Sequence, residues 1–126
     1  MNFPTNLKYS KSHEWVLFSD NQTAKIGLTE FAQDALGSIV FVNLPQEGDV
    51  AAAGASIGDI ESVKAVSDII SPFSGVVTAV NAKLLDSPGN INEDAYGSWL
   101  VEISDISAQA ELMDAAEYEA FCKEEA

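Results

Sequence analysis

The sequence predicts a mainly β fold, a sandwich or barrel of short strands with one short helix in the N-terminal half and helical structure at the C-terminus. Three observations lead there. The middle of the chain carries short apolar runs broken by Gly48, Gly54, Gly58, Pro72 and Gly75, the punctuation of a small all-β domain. Only two stretches show helical spacing. The length, 126 residues, builds one core and leaves little for a second domain, so residues 1–126 are expected to form a single domain.

Taken in order, residues 14–18 and 23–28 read as strands around the turn-prone Ser19-Asp20-Asn21-Gln22. Thr29 is placed to N-cap a helix through Leu36, and Gly37 to stop it. Ile39 to Leu44 is a β-rich run ended by Pro45. Residues 82–98 read as a long loop, and Trp99 to Ile103 as a strand. From Ala108 the spacing of Leu112, Ala115 or Ala116, Tyr118 or Glu119 and Cys122 predicts a terminal helix, with Asp114 and Glu117 in capping-box relation. A faint repeat, Pro45-x-x-Gly48-x-Val50 and Pro72-x-x-Gly75-x-Val77, suggests approximate two-fold symmetry.

Charge narrows the function. Six Lys, no Arg and 20 Asp plus Glu give a formal charge of −14. Nucleic acids and anionic membranes both need cations that this chain lacks. The acidity favours encounter with basic partner surfaces instead. One cysteine and one histidine, Cys122 and His13, exclude an internal disulfide and a zinc site. The N-terminus has neither a secretory nor a transit pattern, so a cytoplasmic protein is expected.

The stretch Ile60-Glu61-Ser62-Val63-Lys64-Ala65-Val66-Ser67-Asp68-Ile69 is nearly a mirror about the Lys64–Ala65 bond. A hairpin with a two-residue loop would face Val63 with Val66, Ser62 with Ser67, Glu61 with Asp68 and Ile60 with Ile69, leaving Lys64 exposed at the tip. Lys-Ala is poor turn chemistry, and Glu61 opposite Asp68 sets like charges across the ladder, at a cost of about 0.2–1 kcal/mol. A sequence that accepts both needs the lysine there; the alternative is a gatekeeper charge on a solvated loop.

At this point the chain resembles a family. Tyr9-Ser10-x-Ser12-His13-Glu14-Trp15-Val16, Ile26-Gly27-Leu28-Thr29, Ala32-Gln33-x-x-Leu36-Gly37, Ile39-Val40-Phe41-Val42-x-Leu44-Pro45, Glu61 to Ala65, Ser67-Asp68, Pro72-x-Ser74-Gly75, Val80-Asn81 and Glu117-Tyr118-x-x-Phe121-Cys122 follow the order and spacing of the glycine cleavage H proteins. The resemblance implies a biotinyl/lipoyl-type hybrid barrel-sandwich, with a central lipoyl-type unit at about 38–81 and a helical tail at about 108–126. It also implies (R)-lipoate attached to Lys64, with Glu61, Ser62, Val63 and Ala65 as the turn read by the modifying enzyme, a lipoyl transferase or lipoate ligase.

The implied role is a monomeric shuttle, not an enzyme. It takes the aminomethyl group of glycine from the pyridoxal-phosphate glycine decarboxylase to the folate-dependent aminomethyltransferase, and a dihydrolipoyl dehydrogenase reoxidises the arm. Ser12, Glu14 and Asp68 are expected to receive the loaded arm in a cleft, because carboxylates favour a charged amine. One departure stands out: the family usually has Pro-Tyr-Gly-x-Gly-Trp where this chain has Ala95-Tyr96-Gly97-Ser98-Trp99. Rival readings are a lipoyl relay donor, a 2-oxoacid-dehydrogenase lipoyl domain and a biotin carrier. Val63 and Ala65, in place of the usual flanking methionines, count against the last.

Overall fold

In the computed structural model, which describes residues 1–125, ten strands form two sheets. They are β1 (Lys8–Ser10), β2 (Glu14–Asp20), β3 (Thr23–Leu28), β4 (Ile39–Asn43), β5 (Val50–Ala51), β6 (Ser56–Ser62), β7 (Val66–Ile70), β8 (Phe73–Val80), β9 (Trp99–Gln109) and β10 (Leu112–Met113). A seven-stranded sheet runs β10-β1-β2-β3-β9-β8-β5, and a three-stranded sheet runs β4-β6-β7. Four helices complete the chain: α1 (Glu30–Leu36), α2 (Lys83–Asp86), α3 (Asn90–Glu93) and α4 (Ala115–Glu125). The mainly β class is as predicted.

The local chemistry explains the joints. Thr29 N-caps α1 by accepting from the Ala32 amide, and Gly37 ends the helix at φ 81, a conformation that glycine adopts without a Cβ penalty. Asp114 and Glu117 form the expected capping box, the Glu117 amide donating to Asp114 and the Asp114 amide to Glu117. The two Pro-Gly-Val repeats lie against each other. Val50 pairs with Val76, and the Gly48 amide donates to the Val77 carbonyl.

Three expectations are corrected. The tail turns helical only at Ala115: residues up to Gln109 extend β9, and Leu112 lies in β10, paired with Ser10 of a strand, β1, whose short run gave no periodic signal. Residues 82–98 are not one loop but two short helices and a 3-10 turn (Ala95–Gly97), the latter capped by Asp94. The β6–β7 hairpin is closed by four residues rather than two, so Glu61 faces Val66 and Ile60 faces Ser67. A slip of two residues keeps every side chain on its predicted face, because the strand period is also two. Ile60 and Ile69 are accordingly both buried, and the like-charge pair becomes Asp59 opposite Asp68.

Two apolar cores result. The larger lies between the sheets around Ile26, Ile60, Ile69, Leu100 and Ile103. The smaller sits beneath α4 and joins Tyr9, Trp15, Tyr118 and Cys122. In it Tyr9 and Tyr118 stack with ring centres 4.5 Å apart. Gly27 makes room for the Trp15 indole: a Cβ there would lie 2.4 Å from the ring. Gly27→Ala is therefore expected to lower stability by about 1–3 kcal/mol through overpacking, read as a lower urea midpoint with unchanged slope.

Candidate functional site

The site has two parts at opposite ends of β7. At the tip, Ser62 organises the loop. Its hydroxyl oxygen accepts from the Lys64 amide at 3.3 Å and the Ala65 amide at 3.1 Å, while its own amide donates to the Ala65 carbonyl at 2.8 Å. That serine-centred turn supplies what Lys-Ala could not and explains the four-residue closure.

A second hold comes from outside the hairpin. The Val63 amide donates to the Ser38 carbonyl at 3.0 Å, and the 37–39 segment is itself clamped by Asn92. The Asn92 side chain donates to the Gly37 carbonyl and accepts from the Ile39 amide, both at 2.8 Å. Lys64 thus stands on a fixed platform, is exposed, and makes no ion pair among the described residues. Its stem runs past the bare Gly37, whose Cβ, if present, would lie 3.5 Å from Lys64 Cε. Glu61, Val63, Ala65 and Val66 around it are all exposed as well, so nothing in the fold covers the amine.

The second part is a buried carboxyl. Glu14 opens β2 and is 1% exposed. Its Oε1 accepts from Ser10 Oγ at 2.7 Å and from Ser12 Oγ, and its Oε2 accepts from the Ile70 amide at 3.3 Å. Burial pushes this carboxyl up to about 7, outweighing the three donors, which favour the charged form. Its partners Ser10, Ser12 and Ile70 line a surface cleft of about 410 Å³, together with Gly54, Ser71 and Pro72 among others, while Glu14 itself lies behind that lining. The exposed Lys11–Glu111 pair at the rim, 3.8 Å apart, contributes little.

Of the three residues expected to share a cleft, the structure brings Ser12 and Glu14 together. Asp68 stands apart on the exposed face of β7, two residues before Ile70, with no hydrogen bond to either. Two partners were missed. Ser10 completes a Ser10-x-Ser12-x-Glu14 alternation that was visible as spacing. The Ile70 amide is a backbone group with no signature in the sequence. Trp15 is core packing, its indole N–H donating to the Ala95 carbonyl at 3.1 Å.

Comparison with known proteins points to one family. The family described as Glycine cleavage H-protein matches residues 7–125. A glycine cleavage system H protein of Lachnoclostridium phytofermentans is 52% identical over 120 residues, covering 95% of this chain and 94% of that protein. One from Acidobacterium capsulatum is 47% identical, covering 99% and 98%. A crystal structure of a glycine cleavage system H protein from Mycobacterium marinum superposes with a TM-score of 0.87 at 38% identity, covering 93% of this chain and 96% of that one.

The raised carboxyl makes stability depend on pH. Folded Glu14 keeps its proton to about 7, whereas an ordinary glutamate releases it near 4.5. The contribution is full below 4.5 and declines as pH rises to about 7, by about 3 kcal/mol. Urea unfolding across that range is expected to show the decline in the native protein and to lose it in Glu14→Gln, which cannot titrate.

Proposed function

The chain belongs to the glycine cleavage H-protein family, and from that membership we propose that Lys64 is the residue that bears its lipoyl arm. The protein is a lipoyl carrier of the glycine cleavage system, moving the aminomethyl group of glycine between the enzymes of that system. One observation carries the assignment to Lys64: it is exposed, with no ion pair among the described residues, on a tip held by Ser62 and Ser38. An acylating enzyme has to reach such an amine, and a fixed tip spares it the ordering of a loose loop.

When bound, (R)-lipoate supplies a dithiolane whose disulfide opens to accept the one-carbon amine and is restored by oxidation. Everything else falls to the chain. Attachment turns the lysine into a neutral amide and moves the formal charge from −14 to −15. The platform holds the tether at millimolar effective concentration near a docked active site. The docking enzymes are the pyridoxal-phosphate decarboxylase, the folate-dependent aminomethyltransferase and the flavin dihydrolipoyl dehydrogenase, with a lipoyl transferase or ligase as the modifier. The setting is the cytoplasm, and the chain itself acts as a mobile co-substrate rather than a catalyst.

Between visits the cargo needs shelter, because a protonated aminomethyl group loses ammonia to water. The arm would lie along β7, from the tip toward Ile70, to reach the cleft lined by Ser10, Ser12 and Ile70. There a neutral amine would take the Glu14 proton and become ammonium, and Ser10, Ser12 and the Ile70 amide would stabilise the carboxylate so formed. Asp68, on the path between tip and cleft, adds attraction from solvent.

Two measurements test this. Arginine keeps the charge of Lys64 and cannot be acylated under these conditions. Lys64→Arg incubated with lipoate and the modifying enzyme is expected to gain no lipoyl mass and to support no glycine-dependent carbon dioxide release in a reconstituted system; activity equal to the native protein would refute the assignment. For the cleft, ammonia loss from the aminomethyl-charged protein is expected to speed up in Glu14→Ala and, less, in Asp68→Ala. Unchanged rates in both would remove the shelter.

A further inference from the structure

The turn that carries Ser12 and Glu14 is held from behind. His13, between them, adopts φ 72, a left-handed conformation uncommon for a residue with a Cβ. Its backbone is pinned by an amide donating to the Ser10 carbonyl at 3.1 Å and a carbonyl accepting from the Thr29 amide at 3.2 Å. The reversal at His13 brings the side chains of Ser12, in the cleft lining, and Glu14, behind it, together, and sends the imidazole the other way, onto α4 and α1.

On that side the ring packs against Phe31, Tyr118 and Phe121 at centroid distances of 4.9, 5.7 and 5.7 Å. Both ring nitrogens are engaged: Nδ1 with the Tyr118 hydroxyl and Nε2 with the Glu125 carboxylate, each at 2.7 Å. An ionised carboxylate only accepts, so Nε2 carries a proton; on the neutral imidazole Nδ1 accepts from Tyr118. The Tyr118 oxygen then accepts from Thr29 Oγ1 at 2.7 Å, and Thr29 Oγ1 accepts from the Ala32 amide at 3.3 Å. Each member of the chain has one donor and one acceptor role. Thr29 and Tyr118 are both fully buried, so no member can be exchanged for water without opening the smaller core.

We propose that His13 is a positioning residue: by latching the C-terminal helix to the turn at residues 11–13, it holds Ser12 and Glu14 in the geometry that forms the cleft. The use of that cleft for the cargo rests on the function given above; the placement of Glu14 does not. On this account the terminal helix, which packs against β1 and β10, governs how dry the surroundings of Glu14 are.

The test separates latch from backbone and from cleft. His13→Gly adopts the left-handed turn without strain and removes only the imidazole. Tyr118→Phe removes one oxygen and keeps the ring. In each, titration of the Glu14 carboxyl is followed by carbon-13 NMR, and ammonia loss is followed in the aminomethyl-charged protein. The expected result is a Glu14 titration displaced from about 7 toward 4.5, more in His13→Gly than in Tyr118→Phe, as the loosened turn admits water. Ammonia loss should rise several-fold in the same order. A merely destabilised protein would keep the native Glu14 titration until it unfolds.

A Glu14 titration unchanged in both variants overturns the latch. If His13→Gly does not fold, Tyr118→Phe decides alone. Ammonia loss that is also unmoved in Glu14→Gln counts against the shelter and leaves the latch to be judged by the titration.

Discussion

One buried carboxyl ties the two sheets together. Glu14 begins a strand of the larger sheet, and its Oε2 reaches the amide of Ile70 at the end of a strand of the smaller one. A polar group so placed costs free energy unless its lone pairs are met, and the two serine hydroxyls and one amide meet them. No buried side-chain nitrogen or oxygen among the described residues is left without a partner. The same constraint that closes the barrel thus places an ionisable group under a cleft, where apolar packing would have stabilised the fold more simply.

Much of this was legible because local chemistry and global fold agree. Thr29 and Gly37 mark the ends of α1 by their own hydrogen-bonding and backbone preferences, and Asp114 with Glu117 marks the start of α4. The mirror of Ile60 and Ile69 identified the hairpin, and the lysine at its tip followed from poor turn chemistry. The exact register did not follow, because the deciding contacts are the Ser62 hydroxyl on two loop amides and the Ser38 carbonyl from another element. Leu112 fitted a helical face by spacing, yet pairing with β1 captured it, a tertiary preference that spacing cannot express. The cleft was the least readable part: Ser12 and Glu14 were visible, Ser10 was overlooked, and the Ile70 amide is common to every residue type.

Charge and exposure divide the surface by task. The tip is small and nearly neutral, with Val63 and Val66 71% and 65% exposed beside Lys64. Away from it the surface is acidic, and the remaining lysines are few. Long-range attraction to basic surfaces would therefore come from the body, while Lys64 is flanked by the uncharged Val63 and Ala65.

The position of β9 in the larger sheet has a consequence for biosynthesis. It lies between β3 and β8, pairing Ala24 with Ile103 and Val80 with Val101, so this interior strand leaves the ribosome after both its neighbours. Until it arrives, β3 and β8 each present a bare edge, and the nascent chain cannot close on itself. The β4-β6-β7 sheet, drawn from residues 39–70, has all its pairings in hand much earlier. The lysine-bearing finger can thus take shape during translation, ahead of the body that will carry it.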